Sequence, residues 1–436
     1  MAGLDHSKMG LRKPMEKINK IYGPPGTGKT FRLIRRVKAY ERIGVPLHKI
    51  GYFAFTRKAA KEAKERMPID QNKLVHFQTL HSFAFNTLGL QEENIMQPYH
   101  YEELGKKLLN DCEADFFTTD YNDLVKRSEV NAVIIATDEN HHFGPIMASL
   151  ENESSLFIEK PLATDLVESR DVLNKIKSTN VDAVLGYTQR FRRRFLAVKE
   201  RINNGQIGEA TAVVVRAFMN KMAPTGEVRL TQDRRHLTPM VVSGTHSLDM
   251  ALWLLGQQAK PVSIFARSTE KIMAELGTKD ATFGVFTMED GTIFSMNICW
   301  ALPKVWPGAV YGLEIGVVGT KGVIDIEDTH RDVILATEYN QGPAYRPEGL
   351  QLEATRNVDF LTSFPPGDIY NGDLWGPLRE ETNSWFTRIY LGKDTPHATA
   401  EEGHRNLILT MAMDLSSKTG KELQLPIDPE ELMKGL

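Results

Sequence analysis

The sequence has few cysteines, no long apolar segment and no large excess of either charge. Cys112 and Cys299 are its two cysteines, and their wide separation predicts neither a disulfide framework nor a zinc pattern. The first residues are charged and lack the apolar core of a secretory signal, and no uninterrupted apolar run reaches membrane-spanning length. These absences predict a cytoplasmic protein that does not contact a membrane.

The overall charge excludes few classes of partner. The formal net charge of the 436 residues is −3, and 25% charged with 41% hydrophobic residues is typical of a globular protein. Basic residues outnumber acidic ones between Met1 and Met67, which fits a surface that faces phosphate groups, although a solvated basic face is an equal alternative. The length leaves room for two or three domains.

A strand–helix–strand pattern occupies residues 131–162. The apolar run Ala132–Ala136 predicts a strand, Phe143–Leu150 a helix, and Leu156–Ile158 a second strand parallel to the first. Ligands of such sheets bind beyond the carboxyl ends of the strands. We therefore predict a cofactor-binding edge that contains Thr137, Glu159, Lys160 and Pro161.

A phosphate-loop motif, G-P-P-G-T-G-K-T, stands earlier in the chain at residues 23–30. It lies between a predicted strand, Ile18–Tyr22, and a predicted helix, Phe31–Ile43. Glycines in this motif let backbone N–H groups approach phosphate oxygens, the lysine reaches the β- and γ-phosphates and the threonine holds Mg²⁺. The motif predicts an ATP–Mg²⁺ site, with a chance glycine loop as the alternative, formed by Gly23, Gly26, Gly28, Lys29 and Thr30.

Residues 17–108 resemble superfamily 1 helicases of the UvrD/Rep type. The resemblance rests on the phosphate loop, on F-T-R-K-A-A at residues 55–60 and on T-L-H-S-F at residues 79–83. It implies contacts with the backbone of single-stranded DNA, and the residues concerned are Thr56, Arg57, Thr79 and His81. The later acidic motif, the arginine finger and the second motor domain are missing from the sequence, which argues against helicase activity.

Residues 114–428 resemble the Gfo/Idh/MocA family of nicotinamide-dependent oxidoreductases. Three motifs carry the resemblance: Ala136–Asp138 in place of the family's A-T-P, the intact Glu159–Pro161 as E-K-P, and Gly244–Trp253. The resemblance implies NAD or NADP as cofactor and a sugar, inositol or related polyol as substrate. It also implies a homo-oligomer formed through the C-terminal sheet.

The same resemblance implies the chemistry of the site. Lys160 would stabilise the alcohol oxygen, and His246 would accept the hydroxyl proton, since the pKa of histidine lies close to neutral pH. Asp249 is three residues beyond His246, so both share one face of a predicted helix. Asp249 and Arg190 are predicted to bind substrate, with a structural ion pair as the alternative for Arg190. Val242 stands where many family members have an aspartate.

Metal binding is not predicted in this part of the chain. The pair His141–His142 has no third ligand at suitable spacing, and a turn is the better interpretation. A structural salt bridge for Lys160 and a core position for His246 stay open as alternatives to catalysis. Geometry is needed to decide between these interpretations.

The predicted fold class is an α/β part followed by an α+β domain with a mostly antiparallel sheet. We predict a helicase-like phosphate-loop fragment at residues 1–108, a partial Rossmann-like domain at 109–190 and the α+β domain at 191–436. The dinucleotide fingerprint G-x-G-x-x-G is absent. The alternatives are therefore an inactive oxidoreductase, a nucleotide-binding module with a passenger domain, a non-catalytic oligomer, or a junction near Leu108 produced by gene fusion or mis-joining.

Overall fold

The computed structural model describes most of the chain from residue 114 onward. The described ranges are 114–179, 181–222, 224–225, 228, 237–307, 311–328, 333–341, 356–360, 367–371 and 373–436, with short pieces between residues 37 and 79. They belong to two units, Met1–Thr119 and Asp120–Leu436. The predicted phosphate loop at residues 23–30, and the side chains of Thr56, Arg57, Thr79 and His81, lie outside the described part. The predicted domain boundaries stay predictions.

In the first unit, two short strands pair in parallel. They are β1 (Tyr52–Ala54) and β2 (Phe77–Thr79). The sequence also predicts a strand at Lys49–Phe55, and β1 falls inside this range. Residues 37–39 and 42 are helical, as predicted for that segment.

The second unit begins with a three-stranded parallel sheet in the order β3–β4–β5. The strands are β3 (Ala132–Ile135), β4 (Ser155–Glu159) and β5 (Ala183–Gly186), and the helices are α1 (Tyr121–Val125), α2 (Phe143–Glu151) and α3 (Leu166–Ser178). The central strand β4 is apolar at successive residues because both of its faces are covered. The predicted strand–helix–strand unit is confirmed.

A seven-stranded mixed sheet follows, in the order β11–β10–β6–β9–β8–β7–β16. Its strands are β6 (Ala210–Asn220), β7 (Pro261–Thr269), β8 (Ala281–Met288), β9 (Ile293–Leu302), β10 (Tyr311–Gly319), β11 (Val323–Asp328) and β16 (Leu423–Gln424). The mostly antiparallel sheet is confirmed. The alternating patterns of residues 212–218 and 292–299 predict antiparallel strands. This is wrong for the pairing of β6 with β9, which run parallel, since the chain passes through β7 and β8 and then returns beside β6.

One face of this sheet builds the larger core. Alternate residues of the strands pack against α5 (Thr245–Leu255) and α7 (Ala400–Thr419). The sequence predicts a helix from Ala400 to Thr419 that ends before Gly420, and α7 has these bounds. Thr399 and Glu402 form a capping box at the start, and Gly420, with φ 72°, ends the helix.

The remaining elements frame these two sheets. They are α4 (Arg193–Asn203), β12 (Ile334–Gln341), β13 (Arg356–Phe360), β14 (Asp368–Tyr370), β15 (Asp373–Trp375), α6 (Pro377–Leu391) and α8 (Pro429–Gly435). The stretch from Asn340 to Pro366 is rich in Gly, Pro and polar residues and predicts an irregular segment. This prediction is wrong at β13, which pairs with β12. None of the helices in the described part is long and apolar enough to cross a membrane.

Candidate active site

Lys160 follows β4 at the carboxyl edge of the parallel sheet, where the sequence predicted a ligand-binding lysine. Its side chain is 18% exposed, and its ammonium group lies 3.6 Å from the carboxylate of Glu139, in the turn after β3. The peptide between Lys160 and Pro161 is cis. Two neighbouring strand ends therefore place a cation and an anion side by side, while Thr137 is exposed next to them.

His246 lies in the first turn of α5, directly after the π-helical turn Pro239–Gly244. Its Nδ1 atom is buried and has no hydrogen-bond partner among the described residues. Burial holds the pKa of His246 well below its usual value, and the positive charges of Lys160 and Arg192 lower it further. The ring is therefore neutral near pH 7, and it lies close enough to Lys160 to respond to its charge.

Tyr187 supports this histidine from the end of β5. The two rings meet edge to face with centroids 6.1 Å apart. The Tyr187 hydroxyl is 2.7 Å from the hydroxyl of Thr245, the residue before His246. These contacts fix the start of α5 against the parallel sheet.

Val242 occupies an apolar pocket, so no carboxylate stands where the family's aspartate is expected. It packs in a cluster with Met219, Leu237 and Trp300. The indole N–H of Trp300 donates to the hydroxyl of Ser243 at 2.8 Å. Any proton relay from His246 therefore has to use other groups.

Arg190 and Asp249 contact each other inside the protein. Nε and Nη2 of Arg190 donate to the two carboxylate oxygens of Asp249 at 2.8 and 2.7 Å, and the side chains are 2% and 0% exposed. Arg190 also donates to Glu402 at 3.2 Å, and Asn406 donates to Asp249 at 3.0 Å. Burial opposes the charge of Arg190, but Asp249 and Glu402 more than offset it and raise its pKa. The polar atoms of Arg190 and Asp249 thus bond to protein groups. Substrate binding by this pair stays a prediction.

Two acidic side chains lie near the same edge. Glu381 of α6 is fully buried and accepts a hydrogen bond of 2.7 Å from the hydroxyl of Thr188. Burial raises the pKa of Glu381 well above its usual value, and the charge of Glu159 adds to this effect. Burial also raises the pKa of Glu159. Burial therefore favours the protonated form of the Glu381 carboxyl relative to an exposed glutamate.

The structure thus brings Lys160, His246, Thr137, Glu159 and Pro161 to one edge region. Sequence reasoning missed the residues around them: Glu139, His142, Tyr187, Arg192 and Glu381. The basic run at residues 190–194 was a signal for Arg192, whereas Glu381 had none. In the described part of the chain, no group of three or more His, Cys, Asp or Glu residues is arranged to hold a metal ion.

Comparison with known proteins gives two family matches. Residues 97–187 match the oxidoreductase family with an NAD-binding Rossmann fold, GFO_IDH_MocA. Residues 195–325 match the GFO/IDH/MocA C-terminal domain. Both matches begin after residue 96, so they give no support to the helicase-like interpretation of residues 17–108 or to the ATP site.

Individual relatives agree with these matches. Inositol 2-dehydrogenase 2 of Paenarthrobacter aurescens is 28% identical over 307 residues, which cover 68% of this chain and 80% of the relative. Myo-inositol 2-dehydrogenase of Thermotoga maritima is 24% identical over 311 residues, 70% of this chain and 83% of the relative. A structure of Lactobacillus casei myo-inositol dehydrogenase with NAD(H) and myo-inositol has a TM-score of 0.55 at 18% identity, covering 75% of this chain and 87% of that one. This last likeness shows the fold.

Proposed function

This chain belongs to the Gfo/Idh/MocA oxidoreductase family, and from that premise we propose that it oxidises one hydroxyl group of an inositol, a related polyol or a sugar. The cofactor is NAD, the nucleotide of the matched Rossmann domain, with NADP as the alternative. The inositol dehydrogenases among its relatives support the substrate class.

The arrangement of Lys160 and His246 carries the proposal. A neutral histidine with an unpartnered buried nitrogen is ready to take a proton from a substrate hydroxyl. The Lys160 ammonium can stabilise the negative charge that develops on the alcohol oxygen. Burial strengthens the effect of Lys160, because charges interact more strongly where water is excluded, whereas it lowers the proton affinity of His246.

The described residues fit the reactive half of a nicotinamide cofactor, which accepts hydride when bound. Thr137, Glu159, Lys160 and Pro161 would border it at the carboxyl edge of the sheet, and the partly exposed His246 would stand beside the substrate. The glycine fingerprint that normally receives the pyrophosphate is absent from the sequence. We therefore expect weaker cofactor binding than a complete fingerprint provides.

Enzyme assays test the proposal. The purified chain should reduce NAD⁺ or NADP⁺ with myo-inositol, scyllo-inositol or an aldose, followed as nicotinamide absorbance. Lys160→Ala and His246→Gln should each lower kcat by about 10²- to 10⁴-fold, the range for a lost acid–base or charge-stabilising group. Lys177→Ala is the control, because Lys177 is exposed and pairs with Glu401. No turnover by the wild type with any of these substrates, or equal activities of the Lys160 and Lys177 variants, would refute the proposal.

We also propose that two copies associate through the outer face of the seven-stranded sheet. This face presents a group of exposed apolar side chains: Val214, Phe265, Phe283, Val285, Ile293, Val318 and Val323. Phe283 stacks with Phe218 at a centroid distance of 6.2 Å. Contiguous apolar patches of this kind mark protein–protein contacts, and a second copy offers a self-complementary surface.

A further inference from the structure

His142 joins the two loops that form the candidate active site. Its side chain is 1% exposed and lies at the start of α2. Nδ1 is 2.8 Å from the carbonyl oxygen of Pro161, and Nε2 is 3.1 Å from the carbonyl oxygen of Thr137. These carbonyl groups follow β4 and β3, so one imidazole ring spans the gap between two neighbouring strand ends.

Both contacts cannot be hydrogen bonds of a neutral ring. A neutral imidazole carries one N–H, and a carbonyl oxygen can only accept. His397 shows the usual arrangement, because its Nδ1 is 2.7 Å from the Thr395 hydroxyl, which can donate, and its Nε2 is 3.1 Å from the carbonyl of Glu381. His142 faces two acceptors, so it satisfies both only when it is doubly protonated.

In the neutral ring, the hydrogen bond to the Pro161 carbonyl is favoured over the one to the Thr137 carbonyl. Its contact is the shorter one and is buried, whereas Thr137 is exposed and its carbonyl contact is only partly buried. Leaving a buried acceptor unsatisfied costs more than leaving one that water can reach. The proton should therefore lie on Nδ1.

Two charged groups face His142 in addition to these carbonyls. The carboxylate of Glu139 favours the doubly protonated ring, and the ammonium of Lys160 opposes it. Burial is the largest effect and lowers the pKa of His142 below its usual value. The second proton therefore binds at a lower pH than it does on an exposed histidine.

We infer that His142 is a positioning residue that fixes the Lys160–Pro161 peptide by donating its Nδ1 proton to the Pro161 carbonyl. A second proton, on Nε2, adds a hydrogen bond to the Thr137 carbonyl and so connects the loops that follow β3 and β4. His142 does not meet the reacting atoms and acts through the placement of Lys160. Its effect on turnover rests on the proposed function, whereas its protonation pattern does not.

Nitrogen NMR of the full-length chain labelled with ¹⁵N-histidine tests the protonation pattern directly. The His142 signals are identified as those missing from His142→Gln. We expect a proton on Nδ1 and a bare Nε2 at pH 7.5, with Nε2 gaining a proton as the pH falls below the range of an exposed histidine. A proton on Nε2 with a bare Nδ1 at pH 7.5 would overturn the inference.

Kinetics and NADH fluorescence titration test the positioning role. His142→Ala should lower kcat and weaken NADH binding by about tenfold each, since a misplacement near 1 Å has effects up to about a hundredfold. His142→Gln or His142→Asn, which keep one donor, should recover most of this loss. His141→Ala is the control, because His141 is an exposed neighbour.

Equal behaviour of His142→Ala and His141→Ala would overturn the positioning role, and so would a loss in His142→Ala that neither amide variant recovers. If His142→Ala does not fold, the comparison of the two amide variants with wild type takes its place, and losses of tenfold in both amide variants would count against the role. Wild-type protein without turnover would remove the proposed function, while the NMR result would still decide the protonation pattern.

Discussion

Removal of the Asp249 carboxylate should strongly destabilise the fold. In Asp249→Ala, the buried Arg190 guanidinium loses two hydrogen bonds, of 2.7 and 2.8 Å, and keeps only Glu402 and the carbonyl of Pro396. Breaking a buried ion pair by removing one partner typically costs about 3–5 kcal/mol. Because Glu402 still compensates part of the charge, we expect the lower end, about 3 kcal/mol.

The chain offers a matched control in Asp182. Its carboxylate accepts bonds of 2.8 to 3.0 Å from Arg388, so the geometry resembles that of the buried pair, but the side chains are 33% and 29% exposed. Exposed pairs contribute about 0.2–1 kcal/mol. Asp182→Ala should therefore cost less than half as much as Asp249→Ala in urea unfolding followed by circular dichroism.

A double variant separates the pair's own contribution from the penalty of a stranded charge. Replacing both partners by apolar residues, as in Arg190→Met with Asp249→Leu, should recover part of the stability, because no uncompensated charge remains. Equal losses for Asp249→Ala and Asp182→Ala would refute the structural role. Unchanged stability with a raised KM for the polyol would instead favour the substrate-binding prediction.

Three further outcomes are expected. Glu381→Gln should weaken the pH dependence of the free energy of unfolding. The folded wild type binds the Glu381 proton more tightly than the unfolded chain, so it loses stability as the pH rises above the usual carboxyl pKa of 4.5. The same change in urea midpoint between pH 5 and 8 for variant and wild type would contradict this. His397, whose pKa burial lowers to about 4, stays neutral in the fold, so wild type should lose up to roughly 3 kcal/mol as the pH falls from 6.5 to about 4. His397→Gln should lose less stability over this pH range than wild type, and an equal loss in both proteins would refute the prediction. Phe283→Glu should give monomers in sedimentation, while Tyr390→Glu, at an exposed aromatic residue of α6, should leave dimers intact. A monomeric wild type would contradict the dimer proposal.

The sequence by itself determined many of the helices and strands of the second unit, although not β13. Contiguous apolar residues marked the central strand β4, and alternation marked strands such as β8, since covered and half-covered strands bury different patterns. The bounds Ala400–Thr419 of α7 were also predicted, and the structure explains them by the capping box at Thr399 and the positive φ of Gly420. These signals are local, so no tertiary information was needed. The E-K-P motif likewise placed Lys160 at the sheet edge.

Tertiary structure alone decided which side chains meet. Arg190 and Asp249 are 59 positions apart, and their mutual ion pair depends on how α5 packs against the end of β5. The burial that lowers the pKa of His246 and raises the pKa of Glu381 arises from elements distant in sequence. The parallel pairing of β6 with β9 depends on the path of two intervening strands. The His142 ring acquired its two carbonyl partners in the same way, because local sequence patterns specify an element but not the neighbours that the fold brings to it.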